Sequence, residues 1–243
     1  MASSVRQMPV HTSTLADAIA AVAESFYIET ADTPELVAEA CHLRYQVYCL
    51  EHDFETPQGQ IESDEFDCRA RHVVLRHRAS EVTIGTVRLV LMSSSAPEDS
   101  FPLQRACDAS FLQCAPLPNT AEISRFAISK RLRMASVATQ GLLRLSLVRG
   151  LVLLSGQLGL THWCALMEPT LLRLLRATGM HFDACGPLVE HHGMRQPSFT
   201  SIEAFLDRLR RDQPTMWDFV TGGGKLWIRP ARAPAQMVVR YPA

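Results

Sequence analysis

The octapeptide Ala121-Glu122-Ile123-Ser124-Arg125-Phe126-Ala127-Ile128 has the apolar character of a buried strand, interrupted by a carboxylate, a hydroxyl and a guanidinium. A buried, unpaired charge is costly, so Glu122 and Arg125 require partners or a chemical task. A side-chain period of two places Glu122, Ser124 and Phe126 on one face and Ile123, Arg125 and Ala127 on the other. Glu122 and Arg125 therefore cannot pair with each other unless a bulge resets the alternation.

Two further strands are expected upstream, His72 to Arg76 and Val82 to Met92, joined by a polar turn around Ala79-Ser80-Glu81. The second is apolar on both faces except at Arg88, as a central strand should be. Before them, Leu50 to Arg69 is long, irregular and acidic, with Glu51, Asp53, Glu55, Glu62, Asp64, Glu65 and Asp67. Loops of that length in compact domains usually bind something or are disordered, and Phe54 and Phe66 suggest that this one folds back on the body. Thr33 and Pro34 open an amphipathic helix running to about Cys49, with Arg44 on or beside its apolar stripe. A helix over Leu15 to Ser25 and a strand over Phe26 to Thr30 come first. Three awkward arginines, 44, 88 and 125, thus face one acidic segment.

Downstream of the anchor strand, Ser129 to Ser136 is a basic connection containing Lys130, Arg131 and Arg133. Val137 to Leu158 forms the longest helix, apolar on most sides. A short helix is expected at Leu103 to Phe111, strands at His162 to Leu166, Met180 to Cys185 and Leu188 to His192, and helices at Pro169 to Thr178, Ser201 to Arg211 and Thr215 to Val220. Strands alternating with helices, some strands adjacent and able to pair antiparallel, predict an α/β (α+β) protein. Its mixed, largely antiparallel central sheet carries helices on both faces. The expected organisation is a loose N-terminus over 1–13, a main domain over 14–200, and a C-terminal helical extension and tail over 201–243.

The chain has 243 residues, 47% hydrophobic and 20% charged, with a formal net charge of -1. Such a balance carries no global nucleic-acid signature, so an anionic partner must be met by a local patch. Seven cysteines without a CxxC pair suit a reduced, cytoplasmic chain, and no export signal or membrane span is expected. His191 and His192 with Cys185 lack zinc-ligand spacing, and Gly222-Gly223-Gly224-Lys225 lacks the context of a phosphate loop, so no metal is expected.

Leu43-Arg44-Tyr45-Gln46-Val47-Tyr48, then Phe54, Asp64 and Asp67, then Gly85-Thr86-Val87-Arg88-Leu89, then Glu122-Ile123-Ser124-Arg125-Phe126 together resemble the acyl-homoserine-lactone (autoinducer) synthases and their relatives. Those relatives are the N-acyl amino acid synthases and the exosortase-associated acyltransferases, with the fold of the GCN5-related N-acetyltransferases. The ordered matches cover about residues 38 to 130. The resemblance implies transfer of a fatty acyl group from a thioester, usually on acyl carrier protein, to the α-amine of an amino acid in the bacterial cytoplasm.

Within that resemblance, Glu122 is the candidate base for the ammonium, with Ser124 beside it and nearby backbone N–H groups able to hold the thioester oxyanion. Arg44, Arg88 and Arg125 with Asp64 and Asp67 are expected to form a charge network across the site mouth. Phe54 and Phe126 complete the substrate-binding set. Acetyl-CoA-dependent members carry a glycine-rich turn after the anchor strand, and the stretch Lys130 to Ser136 has no glycine. That departure favours a phosphopantetheine arm on an acidic carrier protein over CoA, with Lys130, Arg131 and Arg133 meeting the partner's surface. No tightly bound cofactor and no nucleic-acid partner are expected, and membrane contact only peripherally, through the lipid product. An acyl-homoserine-lactone synthase and a non-catalytic domain binding acyl groups or carrier protein are the alternatives.

Overall fold

The computed structural model describes residues 14–52, 59–130 and 137–227. Helix α1 (Leu15–Ser25) opens with a capping box: Thr14 and Asp17 satisfy each other's backbone N–H groups. Strand β1 (Phe26–Thr30) follows, then α2 (Pro34–Arg44), capped by Thr33 with Pro34 in its first turn. Strands β2 (Ala70–His77), β3 (Thr83–Leu91) and β4 (Thr120–Ile128) come next, with the short helix α3 (Leu103–Ala106) between the last two. The chain continues through α4 (Val137–Leu158), β5 (His162–Met167), α5 (Pro169–Ala177), β6 (Asp183–Ala184), β7 (Val189–Glu190), β8 (Met194–Ser201), α6 (Ile202–Asp212) and α7 (Pro214–Thr221).

The strands form a mixed sheet in the order β1-β2-β3-β4-β5-β8-β6, with β7 paired to β8. Every pairing is antiparallel except β4 with β5. The main core lies between the sheet and α4, whose leucines and valines from Leu142 to Leu154 are almost all buried. Gly150 lets α4 come down onto β2, since a Cβ there would stand 2.4 Å from Val73 Cγ1. By length and composition Thr139–Leu158 could cross a membrane, but most of it is buried inside this fold. A second apolar cluster, containing Phe66, Val90, Phe101, Leu103, Phe111, Leu112 and Cys164, fills the space under the irregular segment between β3 and β4.

Several expectations need correcting. The helix foreseen to about Cys49 ends as an α-helix at Arg44 and widens into a π-helical turn over Tyr45–Glu51. The helix foreseen over Leu103 to Phe111 stops at Ala106, where Asp108 accepts from the Ser110 N–H and draws the backbone into a side-chain-capped turn. The strands foreseen at 180–185 and 188–192 shrink to β6 and β7. Strand β8, not foreseen, pairs with all of β5 from Gln196 to Ser201 despite Pro197 in its middle. Ile202, Phe205, Leu206, Leu209 and Val220 of the C-terminal helices belong to the main core. Residues 1–13 and the tail from 228 lie outside the described residues.

Candidate active site

Strands β4 and β5 pair at only three positions, Thr120↔His162, Ala121↔Trp163 and Glu122↔Cys164. Beyond them β4 runs on from Ile123 to Ile128 and β5 from Ala165 to Met167 with no pairing between the two, so the sheet opens as a fork with Glu122 at its apex. Among the described residues, alternate backbone groups on that edge of β4 have no strand partner. The fork is a structural slot in the middle of a sheet.

A bulge changes which side chains share the slot's faces. Pairing with β3 shifts register between Arg88↔Ser124 and Thr86↔Ala127, so Arg125 and Phe126 together stand opposite Val87. Arg125 absorbs the extra residue with a left-handed backbone, φ 51°. The simple alternation expected for this strand therefore fails after Ser124. Arg125 joins the face of Glu122 and Ser124, while Phe126 turns to the opposite side and packs on the main core.

On that shared face three guanidinium groups meet three carboxylates. Arg44, fully buried at the end of α2, donates through Nε to Glu62 and through Nη1 and Nη2 to Asp67, at 2.7 and 3.0 Å. Arg88, also fully buried, grips Asp64 in a fork at 2.7 Å for both bonds, reaches Asp67 Oδ1 at 2.7 Å, and donates from Nε to Ser124 Oγ at 2.9 Å. Arg125 bonds Glu62 Oε1 at 2.9 to 3.0 Å and Asp64 Oδ2 at 3.2 Å, and lies 5.8 Å from the centre of the Tyr48 ring. Burial would raise the carboxyls of Asp64 and Asp67, but the hydrogen bonds from Arg88 and Arg44 outweigh it and hold both below the usual range. The charges balance, which is what makes such a network tolerable in a core.

The acidic turn is fixed from its other side as well. The guanidinium groups of Arg69 and Arg105 each stand over the Phe66 ring, 4.7 Å from its centre. His72, opposite Arg88 in the sheet, is buried with Nε2 3.6 Å from Asp67 Oδ1, and among the described residues neither ring nitrogen has a hydrogen-bond partner. Burial lowers its pKa to about 4, so it is a neutral spacer within the network at ordinary pH.

Glu122 has only 2% of its surface exposed and accepts from the Leu103 N–H at 2.9 Å. Burial pushes its pKa up to about 8, against the opposing pull of the Leu103 hydrogen bond and the nearby Arg88 and Arg125. Next to it lies a cleft of about 210 Å³ lined by Asp64, Phe66, Pro102, Arg105, Ala106, Arg125, His191 and His192. Glu122 stands at the fork's apex but is not among the cleft's lining residues.

Of the residues singled out from sequence, Arg44, Arg88, Arg125, Asp64, Asp67 and Ser124 are thus brought into direct contact. Phe126 is turned away from them. Lys130 sits at the end of β4, its Nζ donating to the Glu51 carbonyl at 2.8 Å. Phe54, Arg131 and Arg133 lie outside the described residues. Sequence reasoning missed Glu62 as the bridge between Arg44 and Arg125, since nothing distinguishes it from the other acids of its loop. It also missed His72, whose place depends on strand register, and the His191-His192 tip, visible only as a pair too poor for zinc. Among the described residues no group of three or more His, Cys, Asp or Glu could hold a metal ion.

Residues 43–142 match the model of the acetyltransferase (GNAT) domain, and the fold built around them is of that kind. No curated protein sequence matches the chain. Solved structures share the fold at low identity. TofI, solved in a ternary complex with an inhibitor and MTA, superposes with a TM-score of 0.56 at 20% identity, over 79% of this chain and 99% of its own. The CoA-dependent acyl-homoserine lactone synthase MesI gives 0.54 at 22% identity, over 76% and 93%. FeeM, an N-acyl amino acid synthase from uncultured soil microbes, gives 0.52 at 14% identity, over 75% and 93%.

Proposed function

We propose that the protein is an N-acyl amino acid synthase. It would move a fatty acyl group from a phosphopantetheine thioester, carried by acyl carrier protein, to the α-amine of an amino acid. The observation that carries this reading is the fork between β4 and β5. An extended thioester arm can lie along the unpaired edge of β4 and complete its backbone hydrogen bonds, much as an added strand would. The thioester then rests near the apex, beside the second apolar cluster, where the partly buried Leu166 and Phe199 offer a surface for the acyl chain.

The amine enters through the cleft, where Asp64 attracts its ammonium form and Arg125 attracts the acceptor's carboxylate. Loss of the ammonium proton frees the nitrogen lone pair to attack the thioester carbonyl. The C–S bond breaks, an amide forms, and the thiol leaves with a proton. Glu122, with a pKa of about 8, is ionised and able to take the amine proton at mildly alkaline pH. Its burial favours a second assignment of that role: the imidazoles of His191 and His192 line the cleft, which Glu122 does not. Replacing both histidines with glutamine and, separately, Glu122→Gln distinguishes the two. The variant that abolishes the pH dependence of kcat/KM identifies the acceptor.

The rival product, an acyl-homoserine lactone, would draw its amine from S-adenosylmethionine, with which the acyl-homoserine lactone synthase BjaI was solved, and MesI and FeeM show that both kinds of synthase share this fold. Incubating the protein with an acyl carrier protein thioester and each amine in turn, with mass spectrometry of the products, tests the reading. An N-acyl amino acid is expected. A lactone formed only from S-adenosylmethionine would replace this reading with the rival one.

A further inference from the structure

The π-helical turn over Tyr45–Glu51 delivers Glu51 to the outer end of the fork. In a π-helix, residues five apart lie over one another, and Gln46 Nε2 accordingly donates to Glu51 Oε1 at 2.8 Å. The same oxygen accepts from Ser129 Oγ at 3.0 Å, and Oε2 accepts from the Lys130 backbone N–H at 2.9 Å. Lys130 Nζ closes the arrangement on the Glu51 carbonyl at 2.8 Å. Burial opposes ionisation of Glu51, yet these donors keep its carboxyl below the ordinary value, so it is an anion. An amide, a hydroxyl and a backbone N–H converging on one anion are what an anion seat is made of. Here the chain's own carboxylate fills it.

Position gives the seat its meaning. The free edge of β4 leads from Glu122 at the apex through Ile128 to Ser129 and Lys130, a run of about 23 to 26 Å at roughly 3.3 Å per residue. A thioester arm with its sulfur at the apex therefore has its phosphate end near Glu51. The geometry points to Glu51 as a specificity-determining residue. Its carboxylate occupies the donors a phosphate would use and repels the donor's phosphates, so the site discriminates against the highly charged CoA and in favour of a donor bearing a single phosphodiester. This rests on the reading of the protein as a phosphopantetheine-thioester acyltransferase and deepens it.

The test is equilibrium binding, which needs no turnover. Wild-type protein and Glu51→Gln, which keeps the side chain's shape, are titrated calorimetrically with CoA, with 4′-phosphopantetheine and with phosphate-free pantetheine. Glu51→Gln is expected to bind CoA roughly five- to tenfold more tightly, phosphopantetheine with a smaller gain and pantetheine unchanged, the gains shrinking as salt is raised. Unchanged CoA binding overturns the inference, as does an equal gain for pantetheine, which would mean that the slot had widened. If neither protein binds pantetheine in any form, the donor reading fails and this inference with it. Pantetheine binding without a charge effect removes this inference alone.

Discussion

Glu122→Gln isolates the consequences of burying one carboxyl at the apex of an opened sheet. In the native state the group holds its proton up to about pH 8, whereas its ordinary value is 4.5. Between those values the native protein binds more protons than the unfolded chain, so raising the pH favours unfolding. The loss is about 1.4 kcal/mol per pH unit, on the order of 5 kcal/mol over the interval, and it levels off above pH 8. Glutamine keeps an oxygen to accept the Leu103 N–H but does not titrate. Every other titrating group is common to both proteins and cancels in the difference between them. Urea unfolding of the pair, measured at intervals from mildly acidic to mildly alkaline pH at constant ionic strength, should show the variant gaining on the wild type by about 1.4 kcal/mol per pH unit. A difference that stays flat with pH would refute the reasoning, since it would mean that the carboxyl ionises as freely in the folded protein as in the unfolded chain.

Other consequences are equally open to measurement. Arg88→Met strips Asp64 and Asp67 of a shared cation and should cost about 3 to 5 kcal/mol, lowering Tm by about 10 °C; a shift under about 2 °C would show that the network is not a buried one. Arg125→Gly and Arg125→Ala lose the same ion pairs, but glycine relieves the left-handed backbone, so the glycine variant should be about 1 kcal/mol the more stable of the two; equal stabilities would remove the strain argument. Gly150→Ala should destabilise by about 1 to 3 kcal/mol by forcing α4 off Val73, and neutral behaviour in thermal unfolding would contradict the close approach. In initial-rate assays carrier-protein thioesters should far exceed CoA thioesters in kcat/KM, and equal values would speak against a carrier-borne donor.

The elements formed by strong local signals were legible in the sequence. Helix α4 is apolar on most sides, α2 announces its start with Thr33 and Pro34, and β3 betrays itself as a central strand with one charge. The need of Arg44, Arg88 and Arg125 for the acids of the loop was also legible, because buried cations demand partners. What could not be read depends on contacts distant in sequence. The bulge at Arg125 exists only against β3, and it decides that Phe126 leaves the face of Glu122. Strand β8 carries Arg195, Gln196 and Pro197, a poor strand by composition, and is formed by β5 on one edge and β6 on the other. Glu51 reads as one more loop acid until the π-helical turn aligns it with Gln46.

The central claim is that a thioester arm in the fork hands its acyl group to an amine waiting in the cleft. The most direct measurement incubates the purified protein with an acyl carrier protein thioester and a panel of amino acids plus S-adenosylmethionine, following free thiol and product mass together. Thiol release matched by a new N-acyl amino acid is the predicted result. No thiol release above background with any acceptor would contradict the account.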